Sequence, residues 1–444
     1  MVAGDVVWQT DLDGSAVNGG VCIFLEDDIF VVTANQRLHH LDSKGNVLWD
    51  ADAGSGGSGA NAGGVLTGEG TYITGTPEQS VRAFDFETGN IVWDTSVNAD
   101  AEDSAPALNA DQSGFYIGTN DAVYKFDLDG NTTGSYDADD LGHDSSPAIF
   151  EGSDGLVLPT GNSSDEGGGV RSFSPESDGN TPVLEWETGS GSRPLCHPAI
   201  DQNNNLYATF PANGQVSKID WNGSVIWNGS LPYSGNHVGY SVALDDPADR
   251  VYVTSYDDDL GEIGLTAFTQ SGSKVWEKID STSPFVVESG ATTTPAIQWV
   301  PAVMADSSII VPWEDDLKKF DSDGNLVWEA GLGTWIRGAP AATAIGGYVV
   351  AGGQNGTLYA VETNTEPRYS LADANARPWD FSKFRHNSGK FTNSTVLLSD
   401  GLGVRGTGAG TGDEVILYSD AVGVGDSQHA AGEDTVLSEL ELGQ

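Results

Sequence analysis

The stretch "FDSDGNLVWEA", Phe320–Ala330, contains an alternating apolar segment, an Asp-Gly turn and a second apolar segment that ends at Trp328. Asp-Gly and Gly-Asn pairs between such segments are typical of β-hairpins. Near-copies occur four more times: "LDSKGNVLWDA" from Leu41, "FDFETGNIVWDT" from Phe84, "IDWNGSVIWNG" from Ile219 and "FTQSGSKVWEK" from Phe268. The sequence therefore predicts one β-hairpin that is repeated along the chain.

The aromatic residue that ends the hairpin recurs at intervals of 41 to 52 residues. The positions are Trp8, Trp49, Trp93, Tyr136, Trp186, Trp227, Trp276, Trp328 and, more weakly, Tyr369. Each interval begins with a small-residue segment, often with Pro-Ala as in "SAPALNA" and "TTPAIQW", and continues with an apolar segment and the hairpin. Four short strands in 40 to 50 residues are the sequence form of a propeller blade.

Eight intervals predict an all-β, eight-bladed β-propeller of four-stranded blades. The first aromatic strand has no preceding strands of its own, so we expect it to close the ring as the outer strand of the last blade. The repeated tryptophans are predicted to dock neighbouring blades: Trp8, Trp49, Trp93, Trp186, Trp227, Trp276 and Trp328. The predicted domains are a propeller at 1–376, a closing segment at 377–392 and a C-terminal β-repeat module at 393–444.

The segment "AFDFETGNIVWD", Ala83–Asp94, resembles the repeat of the PQQ-like (quinoprotein-type) β-propeller family. A second segment, "RPWDFSKFRHNSGKF" at Arg377–Phe391, is similar to a segment near the ends of such chains. The resemblance implies the propeller fold. It leaves the function open, because the family includes quinone-dependent alcohol dehydrogenases, an outer-membrane assembly scaffold and binding proteins without a cofactor.

The enzymes of this family, by resemblance, stack their quinone between a tryptophan and a disulfide of two adjacent cysteines. This chain has only Cys22 and Cys196, and it has no Cys-x-x-Cys-His segment for a haem. Whether these two cysteines pair is left open by the sequence. We therefore predict a protein that is not an enzyme and has no cofactor, and a PQQ-dependent dehydrogenase is the least favoured alternative.

The chain has 65 acidic and 19 basic residues, a net charge of -46 that is spread along its length. An acidic surface of this kind predicts a halophilic protein that does not bind nucleic acid or insert into a membrane. The N-terminus has no basic segment followed by an apolar one, so no cleaved leader is predicted. The acidic loop containing Asp257, Asp258 and Asp259 is a weak candidate for binding Ca²⁺ or another cation, with ordinary surface charge as the alternative.

Binding is predicted on one face of the ring, where the longer and more varied loops lie. The candidate ligand- or partner-binding residues are Trp313, Trp335, Arg337, Arg193, His143, His197 and His237. An arginine beside a tryptophan suits a carboxylate or a sugar ring. Ordinary packing and ion pairing around the channel is the alternative reading of these residues.

The C-terminal tail has weak repeats at Val396, Val415 and Val436 that predict short β-hairpins. Three such repeats bury little apolar surface, so we expect a partner or a homo-oligomer formed through the tail. The tail favours a spike or tail-type structural protein of a haloarchaeal virus, located on a virion or an extracellular surface, with proteins or cell-surface glycans as partners. The alternative is a cellular, envelope-assembly-like scaffold, with a cytoplasmic location left open by the missing leader.

Overall fold

The computed structural model describes most of residues 2–364 and three short strands between residues 396 and 419. Within 2–364 the undescribed residues are 18–19, 24–27, 55–62, 68–69, 102–103, 109–112, 120–121, 138–145, 151–155, 161–168, 176–181, 190–197, 202, 211–212, 235–237, 246–247, 258–261, 281–300, 305, 337 and 344–346.

Seven sheets each contain four strands that are consecutive in the chain. Blade 1 is β2 Cys22–Ile23, β3 Ile29–Val32, β4 Arg37–Leu41 and β5 Val47–Asp52; blade 2 is β6 Val65–Leu66, β7 Thr71–Thr76, β8 Ser80–Asp85 and β9 Ile91–Ser96. Blade 3 is β10 Ala107–Leu108, β11 Gly114–Gly118, β12 Ala122–Asp127 and β13 Thr132–Asp137; blade 4 is β14 Ala148–Ile149, β15 Leu156–Thr160, β16 Gly169–Pro175 and β17 Pro182–Gly189. Blade 5 is β18 Ala199–Ile200, β19 Leu206–Phe210, β20 Gln215–Ile219 and β21 Val225–Ser230; blade 6 is β22 Val238–Asp245, β23 Arg250–Asp257, β24 Glu262–Phe268 and β25 Lys274–Asp280. Blade 7 is β26 Ala302–Val303, β27 Ile309–Trp313, β28 Asp316–Phe320 and β29 Leu326–Gly331.

A closing blade joins the two ends of the ring. Strands β30 Ala341–Ala342, β31 Tyr348–Gly352 and β32 Thr357–Glu362 pair with the N-terminal strand β1 Val6–Asp11, which lies outermost. In the described residues, eight hydrophobic clusters each combine side chains of two adjacent sheets and together occupy every seam. The predicted all-β propeller with four-stranded blades is confirmed, with seven blades continuous in the chain and this composite one.

The closing blade rebuilds a hairpin turn from two separate segments. In blade 1 the turn is held by Gly45 N donating to Asp42 O and by Asp42 N donating to Asn46 O. In the closing blade Gly4 N donates to Glu362 O at 2.8 Å, and Glu362 N donates to Asp5 O at 2.9 Å. Gly4 also has the positive φ, 91°, that the turn glycines of the other blades have. The closing strand β1 is thus positioned by these two turn hydrogen bonds as well as by its pairing with β32.

Each docking tryptophan rests on the turn glycine of the next blade. A Cβ added at Gly130 would lie 2.4 Å from the ring of Trp93, and equivalent contacts join Gly45 to Trp8 and Gly89 to Trp49. Six of the tryptophans donate their indole N–H to a backbone carbonyl of that turn, at 2.8 to 3.2 Å: Trp8, Trp49, Trp93, Trp186, Trp227 and Trp276. The recurring turn and the recurring tryptophan are therefore two halves of one seam contact.

The hairpin before each of these positions contains a β-bulge. In all eight sheets the register shifts once between the third strand and the outer strand, as between His40 and Leu41. A bulge leaves an extra residue without a ladder partner and turns the strand. The two residues before the tryptophan, such as Val47 and Leu48, consequently face solvent although both are apolar.

Two details of the sequence-based alignment are wrong. In blade 3 the residue paired at the tryptophan position is Gly134, opposite Lys125, and Tyr136 lies two residues further along β13. Tyr136 packs on Phe173 of blade 4 instead, with ring centroids 5.0 Å apart. In blade 7 the sequence pattern predicts "TTPAIQW" as the first segment of the blade, but the inner strand β26 follows Pro301. The "TTPAIQW" segment precedes β26 and lies outside the described residues.

A buried basic side chain alternates with a small residue around the ring. The residue opposite the docking position is His40, Lys125, Lys218 or Lys319 in blades 1, 3, 5 and 7. In blades 2, 4 and 6 and the closing blade it is Ala83, Ser172, Ala267 or Ala360. Three of these basic side chains face a carboxylate from the turn between the first two strands: Asp28 for His40 at 3.3 Å, Asp201 for Lys218 at 3.0 Å and Asp306 for Lys319 at 3.4 Å. The ring is thus made of two alternating blade types.

Asp201 is the most enclosed of these carboxylates, with a fully buried side chain. It accepts hydrogen bonds from Asn205, from Tyr207 Oη at 3.1 Å and from Lys218. Burial alone would raise its pKa, but the hydrogen bonds from Asn205 and Lys218 outweigh burial and hold the pKa below its usual value. The ionised pair is therefore part of the folded core of blade 5.

We expect Asp201→Asn to lower the free energy of unfolding by about 3 kcal/mol, because it leaves the buried Lys218 ammonium without its counter-charge. Because the folded pKa of Asp201 is depressed, its stabilisation is present above the unfolded pKa of about 3.9 and is lost as pH falls through the folded value. Urea unfolding at several pH values measures both effects. Asp129→Asn, the same change on an exposed turn residue, is the control, and an equal loss in the two variants would contradict the prediction.

Three strands of the tail pair with one another: β33 Val396–Leu397, β34 Leu402–Gly406 and β35 Val415–Ser419. The sheet is antiparallel in the order β33-β34-β35, with Val404 opposite Leu417. The third predicted repeat, at Val436, lies outside the described residues. The alternating apolar pattern at the first two repeats does correspond to strands.

Candidate functional site

The two faces of the ring differ in how their loops are built. On one face, here called the turn face, the turn between the third and outer strands recurs with little change. Asp321 Oδ1 accepts from the backbone N–H groups of Asp323 at 3.0 Å and Asn325 at 2.7 Å, and Asp42 repeats this in blade 1. Burial would raise the pKa of Asp321, but the hydrogen bond from the Asn325 side chain and these two backbone hydrogen bonds hold the pKa below its usual value. The "DSDGN" segment is thus a self-contained turn.

The opposite face, here called the variable-loop face, contains the connections between blades and the loops between the two middle strands. The first residue after an outer strand donates to the middle loop of its own blade, as Ala53 N does to Gln36 O and Leu332 N does to Asp315 O, both at 2.8 Å. Beyond these fixed points the connections differ, from 231–237 between blades 5 and 6 to 281–301 between blades 6 and 7. A rigid base with unequal loops is the arrangement found at many binding sites.

Among the described strands, the inner strand of blade 6 is the longest inner strand. Its inner strand β22 pairs with β23 over eight residues, from Val238 opposite Asp257 to Asp245 opposite Arg250. The inner strands of the other blades contain only two residues. In the other blades the short inner strand pairs only beside the turn face, as Cys22 does with Phe30. The additional residue pairs between β22 and β23 therefore lie towards the variable-loop face. Blade 6 therefore forms a ridge beside blade 7.

Trp313 lies at the seam of this ridge with blade 7, at the end of β27. Its ring is only 4% exposed and packs on Phe320 with centroids 5.7 Å apart. Its indole N–H donates to Asp280 Oδ2 of blade 6 at 3.2 Å, and Lys318 Nζ lies 5.3 Å from its ring centroid. Trp313 thus supports the variable-loop face from beneath, and its ring does not stand open to solvent as a stacking surface for a sugar.

An acidic group surrounds Lys318 above this tryptophan. Its Nζ lies 3.8 Å from Asp280, 3.9 Å from Asp316 and 4.0 Å from Glu329. Burial, followed by the charge of Asp315, raises the pKa of the Asp316 carboxyl above its usual value. One lysine does not neutralise this many carboxylates. Among the described residues of this group, the carboxylates therefore outnumber the one cation that they contact.

A second acidic group lies on the ridge of blade 6, around Tyr233. Burial, followed by the negative charge of Glu262 and then of Asp257, raises the pKa of the Tyr233 hydroxyl well above its usual value. Asp257 stands opposite Glu262 in the ladder between β23 and β24. Of the predicted cation loop, only Asp257 belongs to the described residues, and Asp258 and Asp259 lie outside them.

The remaining predicted site residues are only partly placed. Trp335 is half-buried in the connection into the closing blade, where its carbonyl accepts from Gln354 N at 2.8 Å. Five predicted residues lie outside the described residues: Arg337, Arg193, His143, His197 and His237. The structure brings Trp313 together with Asp280 and Lys318, two residues that sequence reasoning missed. In the sequence, Asp280 and Lys318 are distinguished only by lying near a loop of the variable-loop face.

Two buried histidines in β4 also escaped the sequence analysis. His40 stacks on Phe30 with ring centroids 4.3 Å apart, inside the seam between blades 1 and 2. His39 faces the seam with the closing blade, where its Nε2 lies 3.8 Å from Asp13 Oδ2. Burial lowers the pKa of His39, and the nearby Asp13 only partly opposes this effect. The buried Cys22 thiol donates to Gly64 O, with its Sγ 3.3 Å from that oxygen, and Cys196 lies outside the described residues. These groups pack within the ring.

The described residues include no group of three His, Cys, Asp or Glu side chains arranged to hold a metal ion. They also include no helix that is long and apolar enough to cross a membrane.

Comparison with known proteins supports the fold. The family described as outer membrane protein assembly factor BamB matches residues 2–140, which include β1 to β13. No curated protein sequence matches the chain. Similar solved structures include BamB from Moraxella catarrhalis, with 15% identity and a TM-score of 0.56 over 81% of this chain and 99% of that one.

Two further solved structures are a computationally designed protein, Ika8, and Sqt1 from Saccharomyces cerevisiae. Ika8 has 14% identity and a TM-score of 0.56 over 81% of this chain and all, 100%, of that one. Sqt1 has 11% identity and a TM-score of 0.59, with 82% and 100% of the two chains covered. At these identities the likeness shows a shared propeller fold and does not transfer a function.

Proposed function

We propose that this chain is a non-catalytic interaction module that holds protein partners on its variable-loop face. The observation that carries the proposal is the contrast between the two faces. The turn face repeats one self-contained turn, whereas the variable-loop face has unequal connections, the blade 6 ridge and unbalanced negative charge. Loops of this kind on a rigid ring are suited to recognition. The match of residues 2–140 to an assembly-factor family supports a scaffolding role.

We further propose that the assembly is halophilic, and that the chain is a spike or tail-type component of a virion exposed to the cell surface. The net charge of -46 and the tail repeats support this reading. A cellular scaffold of the envelope-assembly kind is the second candidate, supported by the family match. Neither candidate requires catalysis or a cofactor, and the two cysteines are too far apart in the chain to be the adjacent pair of the quinone enzymes.

Two charge reversals in blade 7 test the choice of face. Asp315 is exposed in the middle loop of the variable-loop face, and Asp323 is exposed in the turn on the turn face. We expect Asp315→Lys to reduce co-purification of the native partner by about fivefold or more, because interface charges of the wrong sign cost several kcal/mol. Asp323→Lys, with the same change in charge and the same blade, is expected to leave co-purification unchanged. An equal loss in both variants, or no loss in either, would contradict the proposed face.

Salt dependence tests the halophilic reading. We expect the midpoint of thermal unfolding to rise by more than about 5 °C between about 0.2 M and about 3 M KCl, because salt screens the repulsion among carboxylates. Differential scanning calorimetry at fixed pH measures the shift. An unchanged or falling midpoint over this range would show that the acidic surface is not an adaptation to salt.

A further inference from the structure

The turn of blade 5 contains an exposed tryptophan that the fold does not require. Trp221 occupies the turn position whose backbone carbonyl accepts the N–H of the docking tryptophan, here Trp186 at 2.9 Å. This seam contact requires only the backbone carbonyl of Trp221, so it places no requirement on the side chain at this position. At the same position in other blades the side chain is polar or packed into the seam: Ser43, Phe86, Leu128, Gln270 and Ser322. Trp221 is 63% exposed.

Further exposed apolar residues lie close to Trp221 in the chain and on the neighbouring outer strand. Val225 and Ile226 follow it at the bulge of β21 and are 48% and 52% exposed. Leu184 of the neighbouring outer strand β17 is also exposed, next to the Trp186 that bonds to Trp221 O. We call this surface, formed by Trp221, Val225, Ile226 and Leu184, the blade 5 corner. Exposed apolar surface centred on a tryptophan is typical of interaction sites.

The backbone beside this corner has an unused edge. In the described residues β21 pairs only with β20, from Gln215 opposite Ser230 to Ile219 opposite Val225. Its other side is the outer edge of the blade. An open strand edge accepts an extended peptide as an additional strand, and the alternate side chains of that peptide then meet the surface beside the edge.

The charges around the corner are negative. Glu185 and Glu187 flank Trp186, and Asp220 precedes Trp221. The nearby cations are already engaged, since Lys218 Nζ lies 3.0 Å from the buried Asp201 and Arg171 Nε lies 3.4 Å from Glu187. A segment that combines apolar and basic side chains therefore complements this corner, whereas a second copy of this acidic chain does not.

We propose that the blade 5 corner binds an extended segment of a partner protein in which apolar and basic residues alternate, added as a strand along β21. The proposal deepens the proposed interaction function by adding a second contact surface, on the rim near the turn face. The apolar side chains of the segment lie against Trp221 and Ile226. Its basic side chains face the carboxylates of Glu185 and Asp220.

The test uses the full chain and a fluorescein-labelled peptide of alternating Lys and Val residues, with an alternating Glu and Val peptide as the charge control. Fluorescence anisotropy is measured in about 1 M KCl, where the screening length is about 3 Å and general attraction to the acidic surface is suppressed. We expect the Lys-Val peptide to bind and the Glu-Val peptide not to bind. Trp221→Ser and Ile226→Thr are each expected to weaken binding about tenfold or more.

Val92→Thr is the matched control, because Val92 is a 54% exposed residue at the equivalent bulge of blade 2, where the turn residue Phe86 is packed. We expect this variant to bind like the parent. Equal weakening by Val92→Thr and Ile226→Thr, or unchanged binding by Trp221→Ser, would overturn the site, as would a dimer of the parent chain that Trp221→Ser abolishes. The proposed function fails separately: the Asp315→Lys result does not depend on this corner.

Discussion

Deleting residues 2–11 is expected to abolish the cooperative thermal unfolding of the propeller. The deletion removes β1, which pairs with β32 from Val6 to Asp11 and completes the closing blade. It also removes the Trp8 hydrogen bond to Ser43 O and the Thr10 hydrogen bond to Gly45 O, which dock this blade on blade 1. An open ring exposes an apolar seam and a long strand edge, so we expect the free energy of unfolding to fall by about 5 kcal/mol or more, comparable with the whole stability of a domain.

Circular dichroism during heating, with light scattering to detect aggregation, measures this loss. Truncation after residue 392 is the control, because it removes more residues and leaves every described propeller contact in place. A chain without residues 2–11 that unfolds at the parent temperature would show that β1 does not close the ring. Adding β1 back as a peptide should restore part of the lost stability.

Gly89→Ala is expected to lower the free energy of unfolding by about 3 kcal/mol. Gly89 has a φ of 69°, where an alanine costs about 1 kcal/mol on conformation alone. Its new Cβ would also lie 2.5 Å from Cε3 of Trp49, so the docking ring of blade 1 must move, which costs about 2 kcal/mol more.

Gly70→Ala in the same blade separates these two contributions. Gly70 has a φ of 78°, and no atom lies within 4 Å of a Cβ built there. We expect this variant to lose only about 1 kcal/mol. Urea unfolding of both variants gives the difference directly, and equal losses would mean that the contact between turn glycine and tryptophan contributes nothing to the seam.

Periodicity predicted the blades because the docking tryptophan and the turn glycine recur together in most of them, although blade 3 lacks the tryptophan. It placed Tyr136 wrongly because an aromatic residue two positions along a strand points to the same side as the docking position, which Gly134 occupies. Sequence spacing alone does not separate these two registers.

The alternation of buried basic residues was also readable in principle, since His40, Lys125, Lys218 and Lys319 occupy one position of every second blade. It was missed because a lysine in a strand is ordinarily read as exposed, and only the structure shows the buried carboxylate of Asp201 and the nearby carboxylate of Asp306 facing these lysines. The acidic surface at Lys318 likewise depends on contacts between adjacent blades, which local patterns do not report.

The most direct test of the interaction function is sedimentation of the native chain from a high-salt lysate and culture fluid of the producing cells, followed by mass spectrometry. We predict that the chain sediments with other proteins in a large assembly, and that Asp315→Lys releases it. Co-sedimentation with virus particles would support the virion component, and co-sedimentation with the cell envelope would support the cellular scaffold. A chain found only as a free monomer in both fractions would contradict the account.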